Sequence, residues 1–430
     1  MKSENDNISS HEWWWVAVTT GFLVTLTLLP YAWALFVSDD VYQFMGVLSN
    51  PRDGATYISK ILQGVDGAWL FELRHTPQPH EPAGFHLFYL ALGHAARLLG
   101  LSTVVIFHLA RVITSIFMFF AFYQLGATIW QRQRPRRVFF MLLAIGGGLG
   151  WLALTFGSDD VPPDIAIAEG FPFLAAYTNP HFPLAIGCMV LATSHLLLVF
   201  RPGYDEAPRA DNGGALLLLL GVLLSIISPP AMVVLGGVLV TYTVVQGISA
   251  RQLPLHQVRW TAMLLLPALP FAFYYLAVFE FNDVFGRFNE QNITLAPPVS
   301  LTLASYSILL MIAIPGLVRA VRRFEPDGDQ LMLIWLVVNS IAIYFPEFAL
   351  QRRLYIGLII PIVYFAVRSM EDYWFDRVGH LGQRIAFVLI ATLILPTHFI
   401  SFFAPLFAAA LDREVGADTG IVLQTDYIDA

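Results

Sequence analysis

Three kinds of residue are scarce in this chain of 430 residues: it has one cysteine, two lysines and few charged residues overall. The lone Cys188 excludes an internal disulfide and any metal site built from cysteines. Charged residues make up 13% of the chain, whereas soluble globular proteins carry about 25%. So small a charged fraction is typical of a surface that faces lipid. The net charge of −7 also argues against nucleic acid as a partner.

Apolar runs take the place of the missing charge, since 57% of the residues are hydrophobic. A spanning helix needs about 20 apolar residues and satisfies its own backbone hydrogen bonds inside lipid. The runs therefore predict an all-α, polytopic membrane protein with about eleven transmembrane helices. The predicted spans are Trp13–Val37, Thr103–Trp130, Val138–Gly157, Phe182–Phe200, Gly213–Ser228, Ala231–Ile248, Val258–Phe279, Ser300–Val318, Gln330–Tyr344, Leu354–Val367 and Ile385–Ala409.

The run Gly84–Gly100 is ambiguous, because it is apolar but short and contains His86, His94 and Arg97. Cytoplasmic loops of membrane proteins carry an excess of lysine and arginine. If the run lies on the membrane surface, the arginine clusters at 132–137 and 319–323 fall in the cytoplasm. If it spans, both clusters fall outside. We therefore expect Gly84–Gly100 to be an interfacial amphipathic helix.

This topology divides the chain into three parts in the plasma (inner) membrane. Residues 1–12 form a cytoplasmic N-terminal segment, residues 13–410 form the transmembrane domain, and residues 411–430 form an outer C-terminal tail. The first apolar run is too long for a cleaved signal peptide, so we expect it to be retained. The transmembrane domain includes one long outer loop over residues 38–102, and loops of that length usually carry function.

Asp53 is the first candidate for chemistry, because it stands at the head of a short amphipathic helix in this loop. Asn50 and Asp53 are typical capping residues, and Tyr57 lies on the apolar face that follows. A carboxylate at the lipid boundary could act as a general base toward a hydroxyl, or it could simply cap the helix. Lys60 is close to Asp53 in sequence.

A second candidate segment in the same loop runs from Pro77 to Pro82 and contains His80 and Glu81. The rigid prolines could aim both side chains into a cleft. The alternative is an ordinary turn that precedes a helix.

The next outer segment, residues 158–181, carries Asp159, Asp160, Asp164 and Glu169 and ends near His181. Carboxylates clustered with a histidine could bind a hard divalent cation such as Mg²⁺ or Mn²⁺. The alternative is a solvated acidic loop, so the sequence leaves metal use open.

Arginines supply the candidate phosphate ligands. Arg352 and Arg353 lie at the outer mouth of a predicted span, where the guanidinium fork suits a phosphate, although snorkelling to lipid head groups is the alternative. Arg111 lies within a span, where an arginine is usually paired or functional, and its position near the outer end lets it reach the interface.

The order of these features resembles the GT-C superfamily of integral-membrane glycosyltransferases, which use polyprenyl-phosphate sugars. The matching stretch runs from Asp53 to Arg111, and the resemblance covers most of the chain in topology. Two departures are visible: Asp53 is followed by Gly54 where many members have an acidic pair, and His80-Glu81 stands where many carry a lysine. The landmarks of the matching stretch are Asp53, Tyr57, Gly67, Trp69, Glu81, Gly100 and Arg111.

The resemblance implies an inverting transfer of a sugar from a polyprenyl-phosphate donor to a glycan, lipid or protein acceptor, with Asp53 as the general base. Two other classes stay open: a transporter of lipids or lipid-linked sugars, and a non-catalytic membrane subunit on the same scaffold. The site residues fall into three groups: catalytic candidates Asp53 and Glu81; substrate or phosphate ligands Lys60, Tyr57, His80, Arg111, Arg352 and Arg353; and secondary candidates Asp159, Asp160 and His181.

Overall fold

The structure is a computed structural model that describes residues 8–36, 38, 42–200, 213–325, 328–345, 350–375, 377–411 and 421–424. Its helices in chain order are α1 (Ser10–Phe36), α2 (Pro51–Val65), α3 (Leu87–Leu99), α4 (Thr103–Ile129), α5 (Gln133–Ile145), α6 (Gly150–Thr155), α7 (Pro163–Ala166), α8 (Pro172–Tyr177), α9 (His181–Val199), α10 (Gly213–Ile227), α11 (Pro229–Ala250), α12 (Leu255–Leu265), α13 (Ala268–Phe281), α14 (Asp283–Gln291), α15 (Val299–Arg323), α16 (Gly328–Tyr344), α17 (Ile359–Ser369) and α18 (His380–Leu411). Short 3₁₀ turns occupy Ala168–Gly170 and Gln351–Tyr355, and a π turn occupies Met370–Trp374. The strands are β1 (Tyr42–Phe44) and β2 (Val422–Gln424).

The described residues confirm an all-α polytopic membrane protein. Eight helical segments are long and apolar enough to cross a bilayer, and the pair α12 and α13, bent by 45°, can make a ninth. The shorter apolar helices α10 and α16 coincide with the remaining predicted spans. Every predicted span therefore has a helix at its position.

Helix α3 lies where the sequence predicted an interfacial helix. It has 13 residues, so it is roughly 20 Å long, which is shorter than a bilayer core of ~30 Å. Gly64 of α2 and Gly93 of α3 bring the two backbones together, since a Cβ added at Gly93 would lie 2.6 Å from the Gly64 Cα. The two helices of the long loop thus form one packed pair.

The strand pair bears on the prediction that α3 lies in the interface. β1 and β2 are antiparallel, with Tyr42 opposite Gln424 and Phe44 opposite Val422. Paired strands lie on one side of a membrane, so the chain between them must cross it an even number of times. The ten predicted spans from α4 to α18 meet that condition when α10, α16 and the bent pair α12–α13 each count as one crossing, so the pairing agrees with the prediction that α3 does not cross. The long loop and the described part of the C-terminal tail are therefore on the same side.

The predicted terminal segments are only partly described. Residues 1–7 of the N-terminal segment and residues 412–420 and 425–430 of the tail lie outside the described residues. Helix α1 begins at Ser10, inside the segment 1–12 that the sequence assigned to the cytoplasm.

The core of the bundle surrounds α17, whose residues from Ile359 to Val367 are all buried, with α5, α15 and α16 packed around them. Helix α4 packs along α9 on one flank, and its first turn is capped by the Ser102 hydroxyl, which accepts a hydrogen bond from the Val105 N–H at 3.3 Å. At one end of this bundle the segments between the long helices gather above the core, and there the structure forms two adjoining cavities.

Candidate functional site

The first cavity has a volume of about 520 Å³, and most of the residues that line it are of polar or charged types. Helix α2 supplies Asp53, Tyr57 and Lys60, the loop that follows supplies Glu72 and Arg74, and Arg353 closes the far wall. We call it the polar cavity. Two of the predicted ligands, Lys60 and Arg353, thus share one space with the predicted base.

The second cavity has a volume of about 290 Å³ and is lined mainly by apolar side chains. We call it the apolar cavity. Phe85 precedes α3 and Phe88 lies in its first turn; Ile227 and Pro229 come from the junction of α10 and α11, and Phe279 from the end of α13. Such a lining suits a hydrocarbon chain more than a sugar.

The two cavities share four lining residues, which mark their junction: Tyr57, His86, Asn292 and Arg353. A ligand with an apolar tail and a polar head can therefore lie across both cavities, with its linking group beside these side chains.

Asp53 lies in the first turn of α2. The helix begins after Asn50, whose backbone is left-handed with φ 48°, and the Asn50 amide donates a hydrogen bond of 2.6 Å to the Asp53 carboxylate. Asp53 is therefore not the N-cap residue. Its carboxylate is partly exposed and lines the polar cavity.

Lys60 lies two turns further along α2 and is 8% exposed. Its ammonium lies over the Tyr57 ring at 4.5 Å and the Phe71 ring at 5.6 Å. Burial lowers the pKa of Lys60 to about 8, although the Asp53 carboxylate acts in the opposite direction. Within the described residues no carboxylate lies within ion-pair distance, so the ammonium is available to a ligand anion.

Tyr57 forms the wall between the cavities. Its ring stacks on Tyr89 with centroids 4.6 Å apart, and burial raises the pKa of Tyr57 to about 12, so it stays a neutral hydroxyl. The Tyr89 hydroxyl is hydrogen-bonded to the His181 ring at 2.7 Å. His181 therefore lines the apolar cavity with its Nδ1 engaged.

Arg353 comes from the 3₁₀ turn that leads into α17. Its guanidinium donates a hydrogen bond of 2.6 Å to Glu169, which is 7% exposed. A guanidinium has five N–H donors, so this pair leaves others to face the cavities. The neighbouring Arg352 is not among the described residues that line either cavity; its backbone N–H donates to the Thr294 carbonyl at 2.9 Å.

Two predicted loop residues lie away from the cavities. Phe71 and Ala83 form an antiparallel bridge, so the segment from Pro77 to Pro82 is the tip of a closed loop. His80 Nε2 accepts a hydrogen bond of 3.0 Å from the Leu73 N–H, and Glu81 is exposed. The expectation that the prolines aim both side chains into a cleft finds no support among the described residues.

Arg111 is fully buried and does not reach the cavities. Its guanidinium donates to the carbonyls of Ala176 at 2.8 Å and Tyr177 at 3.2 Å, and it lies over the Tyr31 ring at 4.4 Å. The Arg111 guanidinium was expected to bind a phosphate, but it binds backbone carbonyls at the end of α8 instead. Arg111 therefore lines neither cavity, and its role as a phosphate ligand stays a prediction.

The acidic residues of segment 158–181 do not form the expected cation site. Asp159 and Asp160 are exposed, Asp164 accepts hydrogen bonds from Ser305 and the Gly148 N–H, and Glu169 pairs with Arg353. The described residues hold no group of three histidine, cysteine or carboxylate side chains suited to a metal ion. The residues present therefore do not fit a divalent cation, and we derive no step through one.

Sequence reasoning did not assign three residues that the structure places at or beside the junction. Glu169 was grouped with the metal-ligand candidates, and His86 and Asn292 were not assigned a role. Asn292 follows α14, whose Phe285 packs on Phe71 and Phe85 of the long loop. No sequence spacing links these segments, because tertiary packing alone joins them.

No protein-family model matches the chain, and no curated protein sequence matches it. The fold, however, is similar to solved structures. The oligosaccharyltransferase of Archaeoglobus fulgidus, crystallised with zinc and sulfate, matches with a TM-score of 0.53 at 13% identity, over 90% of this chain and 52% of that one. The same enzyme tethered to an acceptor peptide matches with a TM-score of 0.53 at 12% identity, over 91% and 55%.

ArnT from Cupriavidus metallidurans bound to undecaprenyl phosphate matches with a TM-score of 0.50 at 14% identity, over 96% of this chain and 77% of that one. Both neighbours are GT-C membrane glycosyltransferases, so the chain has the GT-C fold that the sequence resemblance predicted. The chain spans about half the length of the archaeal enzyme.

Proposed function

We propose that the chain is a membrane glycosyltransferase that moves a sugar from a polyprenyl-phosphate donor to an acceptor hydroxyl on the outer face of the plasma membrane. One observation carries the proposal: a polar cavity containing Asp53 adjoins an apolar cavity, and Arg353 lines both. A lipid-linked sugar has the matching division into an apolar tail, a phosphate and a polar head.

The donor is expected to lie across the junction. Its first isoprene units would occupy the apolar cavity, its phosphate would lie beside Arg353, and its sugar would enter the polar cavity. The fold supports this arrangement, because the similar ArnT structure holds undecaprenyl phosphate. Lys60 adds a second positive charge on the polar side.

The chemistry would be a single displacement with inversion at the anomeric carbon. The acceptor hydroxyl oxygen forms a bond to that carbon while its proton passes to the Asp53 carboxylate. The bond between the anomeric carbon and the phosphate oxygen breaks at the same time, and the phosphate leaves with the electron pair. Arg353 and Lys60 stabilise the charge that develops on it.

The outer face is supported by the gathering of the segments around the cavities. Residues from the long loop, from 158–181, from 280–299 and from the turn before α17 all line them. These are the segments that the arginine distribution assigned to the outer side, and a reporter fused after Arg137 should therefore score as cytoplasmic.

The test uses the purified protein in nanodiscs with a panel of undecaprenyl-phosphate-linked sugars. Released undecaprenyl phosphate and the transferred sugar are measured together, which separates an enzyme from a lipid transporter and from a non-catalytic subunit. Asp53→Asn should lower the transfer rate by about 100-fold or more, the range in which loss of a general base falls. A chelator added to the same assay tests whether transfer needs a divalent cation, which the described residues do not favour.

Asp283→Asn is the matched control, because Asp283 also lies in the first turn of a short helix and is exposed away from both cavities. It should leave transfer unchanged. If the D53N protein retains full transfer, Asp53 is not the base. If neither wild type nor variant releases undecaprenyl phosphate, the enzyme assignment is contradicted.

A further inference from the structure

His86 is the residue at the junction whose backbone is strained. It precedes α3 with φ 55° and ψ 29°, in the left-handed region. Such a conformation is unfavourable for a residue with a Cβ, and glycine or asparagine adopts it more readily. Strained residues of this kind cluster at functional sites.

The neighbouring backbone holds His86 in this conformation. Its carbonyl accepts hydrogen bonds from the N–H groups of Tyr89 at 2.9 Å and Leu90 at 3.2 Å, which close the first turn of α3. The turn itself needs only a left-handed residue at this position. Nothing in these backbone contacts requires an imidazole.

The imidazole is placed to meet a ligand. It lines both cavities, and its ring packs edge-on against Phe71 at a centroid distance of 4.9 Å. Among the described residues its ring nitrogens have no hydrogen-bond partner. The charged or titratable groups around it are Lys60, His181 and Arg353, and burial is the main cause that lowers the pKa of His86 well below its usual value.

A neutral imidazole has one N–H donor and one acceptor nitrogen. It therefore recognises a ligand through the direction of a hydrogen bond and not through charge. Arg353, on the same junction, already supplies charge. Of the groups in a lipid-linked sugar, the linkage between sugar and phosphate is the one that must pass between the apolar and polar cavities. That linkage presents oxygen acceptors to an N–H donor.

The geometry points to His86 as a donor-binding residue: its N–H donates a hydrogen bond to an oxygen of the sugar–phosphate linkage. This inference rests on the proposed function. It adds to it a residue that binds the lipid phosphate ester at the junction through a hydrogen bond. The contact transfers no proton, so the imidazole stays neutral throughout. It also gives a reason for a histidine at a position whose backbone suits glycine.

The test compares His86→Gly and His86→Asn, both of which accept the left-handed backbone. H86G should weaken binding of undecaprenyl phosphate and lower kcat/KM for transfer about tenfold, the loss expected for one hydrogen bond that strengthens in the transition state. H86N should restore part of both, because the side-chain amide also donates. Thermal unfolding of both variants should stay close to that of wild type.

Arg251→Gly is the matched control. Arg251 also has a left-handed backbone, with φ 52°, and it is exposed after α11, away from the cavities. It should change neither binding nor transfer. Inorganic phosphate is the second probe, and it should compete poorly, because the contact depends on a lipid-held ester.

The outcomes separate this inference from the proposed function. If H86G binds and transfers like wild type while D53N is inactive, the role of His86 is wrong and the enzyme assignment stands. If wild type makes no product, the binding measurement still decides, because an unchanged Kd for undecaprenyl phosphate in H86G overturns the inference. Equal competition by inorganic phosphate also overturns it. So does a loss of thermal stability that accounts for the whole activity loss in both variants.

Discussion

The guanidinium of Arg353 donates a hydrogen bond of 2.6 Å to the carboxylate of Glu169, joining segments that are 184 residues apart. Both side chains line the apolar cavity, and Arg353 also lines the polar one. The carboxylate fixes the direction of the guanidinium and neutralises part of its charge. A phosphate at the junction would therefore meet an arginine that is already oriented.

Replacement of Arg353 by alanine should weaken undecaprenyl phosphate binding by about 10- to 100-fold, the range of a lost hydrogen bond to a charged group. Binding is measured by titration in nanodiscs. Arg287→Ala, at an exposed position on α14, should bind like wild type. An unchanged Kd in R353A would show that the phosphate lies elsewhere.

Glu169→Gln should separate binding from turnover. Without the carboxylate, more of the Arg353 charge acts on the phosphate, so the affinity for undecaprenyl phosphate should stay equal or rise. The guanidinium is then less firmly oriented, and transfer should fall about tenfold. The exposed Glu290→Gln serves as control. Loss of affinity together with turnover would instead mean that Glu169 holds the cavity wall as a whole.

Lys60 should make phosphate binding depend on pH. Because burial lowers the pKa of Lys60 to about 8, its ammonium is present below that pH and is lost above it. The ratio of wild-type to Lys60→Arg affinity should therefore fall about tenfold between pH 7 and pH 9, since arginine keeps its charge. The phosphate of the ligand also titrates, but it does so equally with both proteins, so the ratio of the two affinities does not depend on it. A constant ratio across this range would exclude the ammonium as a ligand.

Gly93→Ala should separate the two helices of the long loop. A Cβ at this position would lie 2.6 Å from the Gly64 Cα, and neither backbone can yield without moving α2, which carries Asp53. We expect a loss of about 1–3 kcal/mol in stability together with loss of transfer. Gly21→Ala, where nothing lies within 4 Å, should leave both unchanged. Normal transfer in G93A would mean that the position of α2 does not depend on α3.

Arg111→Met should destabilise the protein without touching ligand binding. The substitution leaves the Ala176 carbonyl without its buried donor, which costs about 1–3 kcal/mol, while the Tyr177 carbonyl keeps the hydrogen bond from the Tyr31 hydroxyl. Thermal unfolding should shift downward, while the folded fraction binds undecaprenyl phosphate with wild-type affinity. A selective loss of affinity at unchanged stability would restore Arg111 as a phosphate ligand.

The sequence predicted the spans well because each apolar run satisfies its own backbone hydrogen bonds, so a helix forms wherever a run is long enough. It also named Asp53, Tyr57, Lys60 and Arg353, which the structure places around one cavity, because an amphipathic helix in a long loop and arginines at a span end are local signals. The same reasoning did not foresee that Arg111 lies away from the cavities. Its closest partners are the backbone carbonyls of Ala176 and Tyr177, and no residue type in the sequence indicates such a contact.

Composition and periodicity by themselves determined that this protein is a helical membrane protein with one long loop that carries acids and aromatics. Only the tertiary structure decided that Arg353 pairs with Glu169, that Glu81 lies away from the cavities and that His86 and Asn292 stand at their junction. The physical reason is that hydrophobic runs act within one segment of chain, whereas a site between cavities is made by packing several segments together. The spacing of residues along the sequence does not indicate which segments pack together.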